Sequence, residues 1–233
     1  TTLVQDILMF KKKPHVFKKI STRDFLRFSP PILGRIVMLC TILAFPSYGQ
    51  DAPSLEPDVR VVVDISGSMK KNDPKNLRIP AVRLLTNLLP SNAYAGIWTF
   101  GQFVNDLVPS QVVNNEFRRL ATTKSGEINS AGLFTNIGGA LERAAKDWRG
   151  KEPTGPRHII LLTDGVVDVS KEPEENAKAR FDLLNRLVPE LKSQQAKVHT
   201  IALSLEADMD LLRKLALETG GNFEQAQNAE DLN

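Results

Sequence analysis

Oxygen-bearing side chains gather in three short stretches of this 233-residue chain. The first, VRVVVDISGSM at residues 59–69, carries Asp64, Ser66 and Ser68 where a run of valines gives out. The second is FTNIGGAL, with Thr135, and the third is HIILLTDG, whose apolar run ends at Asp164. These five supply two carboxylates and three hydroxyls, with no Cys or His among them. Hard oxygen donors on three loops suit a small divalent cation such as Mg²⁺, with Mn²⁺ able to substitute. The bland alternative makes Ser66, Ser68 and Thr135 turn or helix-cap residues and Asp164 a turn residue before Gly165. Capping, however, gives no reason for all of them to converge on one edge of a fold.

The patterning of the flanking residues says what positions them. Apolar runs predict strands at Val59–Ile65, Ala95–Gly101, a short Val104–Val108, His158–Thr163 and Val198–Ser204, with a weak one at Asn222–Ala226. Helical patterns fall between them at about Leu77–Leu89, Asn115–Ala121, Asn136–Trp148, Glu174–Gln194 and Asp208–Thr219. Pro80 stands in a first helical turn, where its missing N–H costs little. Pro189 is expected to kink or end its helix, and Gly220-Gly221 to stop the last one. VRVVV and HIILL are apolar almost throughout, so both of their faces must be covered.

This alternation predicts an α/β fold: a doubly wound, mostly parallel sheet with helices on both faces and one antiparallel edge strand, Val104–Val108, after a short hairpin at Gly101. In such sheets ligands bind beyond the carboxyl ends of the strands, where strand order reverses. Asp64 and Asp164 end the two most apolar strands, the natural central pair. Thr135 precedes a helix, so its loop opens on the same edge.

The pattern D-x-S-x-S, a later Thr before a G-G-A-L helix, and T-D-G after an apolar strand resembles the metal-ion-dependent adhesion site of von Willebrand factor type A domains, of the exported bacterial kind. The resemblance covers about residues 59–228. It implies that Ser66, Ser68 and Thr135 are direct ligands of a Mg²⁺ ion, with Asp64 and Asp164 acting through bound water or directly. It also implies that the open coordination position takes an exposed Asp or Glu of a partner protein. Leu133-Phe134 stand where many members have two glycines, which predicts a stiffer loop with a more apolar rim.

Around that site Phe134, Lys70 and Lys71 are candidate partner-binding residues. The alternatives are packing for Phe134 and, for Lys70, Lys71, Lys75 and Arg78, a solvated basic run. Trp98 and Phe100 read as core.

Charge and composition bound the rest. The hydrophobic fraction of 42% and charged fraction of 24% are those of an ordinary globular chain. The net charge of +3 is uneven. Residues 1–49 hold eight Lys/Arg against Asp6 and Asp24, leaving 22 basic and 25 acidic residues in 50–233, a net of −3. Such a domain offers no case for nucleic acid. The basic head leads into uncharged Ile36–Phe45, then Pro46-Ser47-Tyr48-Gly49, so residues 1–49 read as a signal peptide cut after Gly49. An uncleaved anchor is the alternative, with membrane association through residues 32–46. The lone Cys40 lies inside this segment, so the processed chain needs no disulfide. Residues 50–58 read as a linker and 59–233 as the domain, expected to be cut short at its carboxyl end because NAEDLN looks ready to open another helix. Export to a periplasm or cell envelope follows from the leader alone.

Two enzymatic readings compete. An aspartate-nucleophile phosphatase or phosphotransferase is also α/β and Mg²⁺-dependent, and Asp164 with Asp168 resembles its second acidic pair. It needs a general acid two residues after the nucleophile, where this chain has Ser66. A serine hydrolase lacks its G-x-S-x-G elbow here, and His15, His158 and His199 fall in the leader or in strands. A non-enzymatic binding module is the expectation.

Overall fold

Valine and isoleucine favour extended backbone, and a strand made of them must be covered on both faces. The computed structural model, which describes residues 56–225 except 152, 165 and 204–206, places two such strands at the centre of a six-stranded sheet. They are β1 (Asp58–Asp64) and β4 (Arg157–Thr163), paired in parallel register from Asp58↔Arg157 to Val63↔Leu162. Outside β1 lie β2 (Tyr94–Phe100) and the edge strand β3 (Val104–Val112); outside β4 lie β5 (Ala196–Ala202) and β6 (Phe223–Gln225). Every pairing is parallel except β2 with β3.

Strand alternation divides the core between two faces. Val62, Phe100, Ile159 and Leu161 pack with Ile137, Leu141, Leu187 and Leu215 on one face. Val61, Val63, Ile160 and Leu162 pack with Val82 and Phe117 on the other. That face is covered by α4 (Ile137–Ala145), α5 (Pro173–Asp182), α6 (Val188–Ser193) and α7 (Met209–Thr219), with Leu187 coming from the turn between α5 and α6. The second face is covered by α2 (Arg78–Leu88) and α3 (Asn115–Ser125). A single turn, α1 (Met69–Asn72), follows the first loop and buries Met69 beneath it.

The differences from the sequence expectation have local causes. Strand β3 runs to Val112 through Pro109, because an edge strand does not need that residue's N–H. Helix α3 extends to Ser125 once Asn114 caps it, its side chain accepting from the Phe117 N–H at 2.9 Å. The long helix expected over Glu174–Gln194 is interrupted by a π-helical turn at Leu183–Leu187, just ahead of Pro189. Proline cannot donate to the carbonyl four residues back, and the wider turn takes up that mismatch. Strand β5 begins two residues early, in register with Arg157. The leader and its alternative as an anchor lie outside the described residues, as does the chain after Gln225. Among the described residues no helix is long and apolar enough to cross a membrane.

Two polar intrusions in the sheet are satisfied. Arg60 is buried in β1, forks onto Asp58 at 2.6 and 2.7 Å, and stacks 4.8 Å from the Trp148 ring. His199 accepts at Nδ1 from the Asn222 N–H, so its proton sits on Nε2 and is shared with His158 Nδ1 at 3.0 Å. Both imidazoles thus serve the sheet, as expected of strand histidines.

At the end of α7, Gly220 takes φ 73° and closes the helix, and Gly221 then passes against β5. A Cβ on Gly221 would lie 2.0 Å from the Val198 carbonyl oxygen, a backbone atom that cannot give way. Gly221→Ala is therefore expected to cost more than about 3 kcal/mol in urea unfolding, at the upper end for overpacked sites.

Candidate metal centre

The central strands end at the same height, and their last side chains turn towards each other. Asp64 is fully buried at the end of β1. Its Oδ1 accepts from the Ser66 N–H at 2.8 Å, and its Oδ2 accepts from the Thr163 hydroxyl of β4 at 2.6 Å. The carboxylate thus ties the first loop to the neighbouring strand.

From there a chain of oxygens runs outward. Ser66 Oγ and Ser68 Oγ lie 3.0 Å apart, and Ser68 Oγ donates to Asp164 Oδ1 at 3.0 Å. A hydroxyl has one proton to give, so Ser66 is the donor to Ser68. The other Asp164 oxygen accepts from Asn72 Nδ2 at 2.9 Å. Ser66 and Asp164 are buried, while Ser68 stands exposed at the mouth.

The third loop is laced to the first two. Gly132 N–H donates to the Ile65 carbonyl at 2.8 Å, and Thr135 and Asp168 exchange main-chain bonds. Gly132 is needed there, since a Cβ would sit 2.8 Å from the Ile65 carbonyl oxygen. The Asn136 side chain caps α4 by accepting from Gly139 N–H at 2.9 Å. Thr135 is buried, and among the described residues only its main chain is hydrogen-bonded, which leaves its hydroxyl available. Phe134 beside it is half-buried and takes φ 55°, a left-handed conformation that costs a non-glycine residue roughly 1–2 kcal/mol. A loop that is stiff by sequence is thus also strained. Lys70 and Lys71 are exposed on α1.

These donors fit a small cation. Octahedral metal–oxygen bonds of about 2.0–2.1 Å put neighbouring oxygens about 2.9–3.0 Å apart. The two contacts along Ser66, Ser68 and Asp164 are both 3.0 Å. A cation would take the place of these hydrogen bonds, the hydroxyls keeping their protons and turning them elsewhere, without moving the oxygens far. Among the described residues no group of three or more His, Cys, Asp and Glu could hold a metal, so a cation bound here would need the hydroxyls as ligands.

Burial raises the Asp64 carboxyl to about 6, against hydrogen bonds from Ser66 and Thr163 that lower it, with a small push from Asp164. The fully buried Arg78 does not relieve it. Its Nε meets Asp73 at 2.7 Å, so that charge is already paired. The rest of the guanidinium holds main chain and loops: the Asp64 carbonyl at 2.5 Å, Asn76 Oδ1 at 2.7 Å and Ser130 Oγ at 2.8 Å. Asp73 also accepts from the N–H groups of Leu77 and Arg78.

The sequence pattern points to Asp64, Ser66, Ser68, Thr135 and Asp164 but carries no sign of Asn72, Thr163 or the Asp73–Arg78 clamp. The solvated basic run expected to include Arg78 does not, since Arg78 is fully buried. The signal against that was N-D-P-K-N-L-R, an Asp-Pro turn with a cation one helical turn beyond it.

The family model for the von Willebrand factor type A domain matches residues 58–233. The chain belongs to that family. Solved structures with this fold include a von Willebrand factor type A protein from Catenulispora acidiphila, 20% identical with a TM-score of 0.63 over 76% of this chain and 40% of that one. Proximal thread matrix protein 1 from the mussel byssus, solved with a zinc-occupied adhesion-site motif, is 17% identical with a TM-score of 0.58 over 77% of this chain and 46% of that one. An aerotolerance-related membrane protein from Bacteroides fragilis, carrying multiple mutations to serine, is 17% identical with a TM-score of 0.56 over 75% of this chain and 93% of that one. The chain spans less than half the length of the first two. No curated protein sequence matches it significantly. The domain is thus of a family whose adhesion-site motif holds a divalent metal in at least one neighbour.

Two outcomes follow from the buried charges of this von Willebrand factor type A domain. Without a cation, the native state holds the Asp64 proton up to about pH 6, whereas the unfolded chain loses it near 3.8. Between those values the native state binds more protons, so stability falls as pH rises and levels off above about 6, by roughly 3 kcal/mol from this group. In EDTA at pH 7.5, Asp64→Asn should therefore melt above the wild type, an advantage that shrinks towards pH 4. Arg78→Met strands Asp73 as a buried charge and should cost about 3–5 kcal/mol in urea, part of it recovered in the Asp73→Asn/Arg78→Met pair.

Proposed function

We propose that this chain is a metal-dependent protein-binding module, capturing an Asp or Glu side chain of a partner through a divalent cation held by Asp64, Ser66, Ser68, Thr135 and Asp164. The observation that supports it most is the run of oxygens from Ser66 through exposed Ser68 to Asp164, with buried Asp64 behind it holding the Ser66 N–H and the free Thr135 hydroxyl on the facing loop. Three of the five donors are neutral, so a bound ion keeps much of its charge and remains attractive to a carboxylate. Mg²⁺ is the ion proposed for the cell, and Mn²⁺ should bind more tightly in the general divalent order. Phe134, Lys70 and Lys71 border the opening.

The phosphotransferase reading fares worse. Asp64 has both oxygens engaged by Ser66 and Thr163 and is sealed from solvent, which suits a support and not a nucleophile. The proposed activity is binding without turnover. Exported, the domain would meet its partner in a periplasm or cell envelope, either released after Gly49 or tethered by residues 32–46.

Calorimetric titration tests the metal step. Mg²⁺ should bind in the high micromolar to millimolar range, as expected of an open site with few charges. Thr135→Ala should weaken it at least about tenfold, the effect of losing one ligand, with the circular dichroism unchanged. Titrations that show no heat for Mg²⁺ or Mn²⁺, or heat that survives in both Thr135→Ala and Asp164→Ala, would sink the proposal.

A further inference from the structure

Eight large apolar side chains are exposed among the described residues, and three of them stand on loops at the carboxyl edge of the sheet: Phe103 at 73%, Leu133 at 68% and Val166 at 52%. The other five are spread over helix surfaces or lie at the opposite end of β2 and β3, as at the paired Tyr94 and Val112. The three edge residues belong to one laced unit. The β2–β3 turn closes with Gly101 N–H donating to the Phe103 carbonyl at 3.1 Å. The same Gly101 abuts the Thr135 loop so closely that a Cβ on it would sit 3.0 Å from the Leu133 carbonyl oxygen. Its own carbonyl accepts from Asn136 N–H at 3.1 Å. Val166 lies two residues from Asp164 and two from Asp168, whose main chain pairs with Thr135.

None of the three contributes its side chain to either core. Isolated exposed apolar residues need no explanation, but several grouped beside a polar centre mark a contact surface. Across the opening, α1 presents exposed Lys70 and Lys71 and has no acid in its turn. The opening is therefore apolar on the Thr135 side, cationic on the α1 side, and hydroxyl-lined in the middle.

We propose that the partner is a peptide segment in which the captured Asp or Glu is directly flanked by large aliphatic or aromatic residues, which pack on Phe103, Leu133 and Val166 while the carboxylate faces the hydroxyl-lined centre and Lys70. Charge complementarity commits the occupant to an acidic segment. Residues 50–233 carry a net −3, and against that background exposed Lys70, on a turn with no acid of its own, is a local positive centre beside the opening that draws an acidic segment. The apolar flanks supply contact area that a lone carboxylate lacks, and burying one large apolar side chain is worth about tenfold or more in affinity. This proposal rests on the cation-dependent reading above, and its test separates the two.

The probe is a library of nonapeptides with a fixed central Asp and randomised neighbours, selected on the immobilised full chain in Mg²⁺ and analysed position by position. A matched library carries Asn at the centre, and a second selection is run in EDTA. Leu, Phe, Ile, Met or Val should be enriched about tenfold over Ser and Gly beside the Asp. That preference should collapse in a Phe103→Ser/Leu133→Ser variant that still binds Mn²⁺ like the wild type. Flat neighbour preferences, or the same preferences in the variant, would overturn the apolar rim while leaving cation-dependent capture of Asp intact. Equal capture of the Asn library, or capture unchanged in EDTA, would overturn the cation reading instead. A library with no enrichment under any condition counts against both.

Discussion

Everything at the carboxyl edge depends on one buried carboxylate. Asp64 ends β1 inside the protein, and it is held there by the Thr163 hydroxyl on the adjacent central strand. That bond sets the ends of β1 and β4 side by side at the point where strand order reverses, which is where a doubly wound sheet leaves a crevice. Asp164, the next residue after Thr163, is thereby presented to Ser68. Removing the carboxylate from water is costly, and its raised titration point measures how far the packing of the central strands overrides that cost.

The surrounding charges are arranged so as not to satisfy it. Arg78 is a fully buried cation bonded to the Asp64 main chain, yet Asp73 pairs it and its remaining donors go to two carbonyls and two loop side chains. The pair is internally neutral. It fixes the shape of the first loop and its contact with Ser130 without discharging Asp64. The negative potential of Asp64 and Asp164 stays directed into the crevice, which is what a cation site requires before the cation arrives. A guanidinium paired with that carboxylate would have filled the role itself and closed the site.

How much of this could be read in the chain depends on whether the interaction is local. The VRVVV and HIILL runs imply central strands, because burial on both faces leaves a near-continuous apolar pattern that needs no partner to be visible. The loop donors were legible because each follows a strand or precedes a helix, so the topology brings them together. Asn72 and Thr163 were not: each is an ordinary polar residue whose role exists only through a bond to a carboxylate 92 or 99 residues away. Arg78 was hidden because a cation in a basic stretch looks solvated until the loop that buries it is known. Phe134 shows a third case. The side chain announced an apolar rim, but its positive φ is set by the bonds of Gly132 and Thr135 on either side. The expected leader at residues 1–49 lies outside the described residues.

The distribution of burial along the donor chain bears on how capture can be reversible. Asp64 and Ser66 are held from behind, by main-chain and strand contacts that do not change with the ligand. Ser68 is exposed, and the Thr135 hydroxyl is otherwise unbonded, so the front of the site is lined by groups with bonding capacity still unused. Such a front, on a back that is already fully bonded, suits an ion held by few charges and completed from outside. Replacing a neutral hydroxyl at the front with a carboxylate would tighten metal binding, but it would also spend the ion's charge inside the protein. The attraction for an external acid would fall by the same logic. If the proposed capture operates, a weak hydroxyl-rich site is its condition and not a compromise in binding the metal.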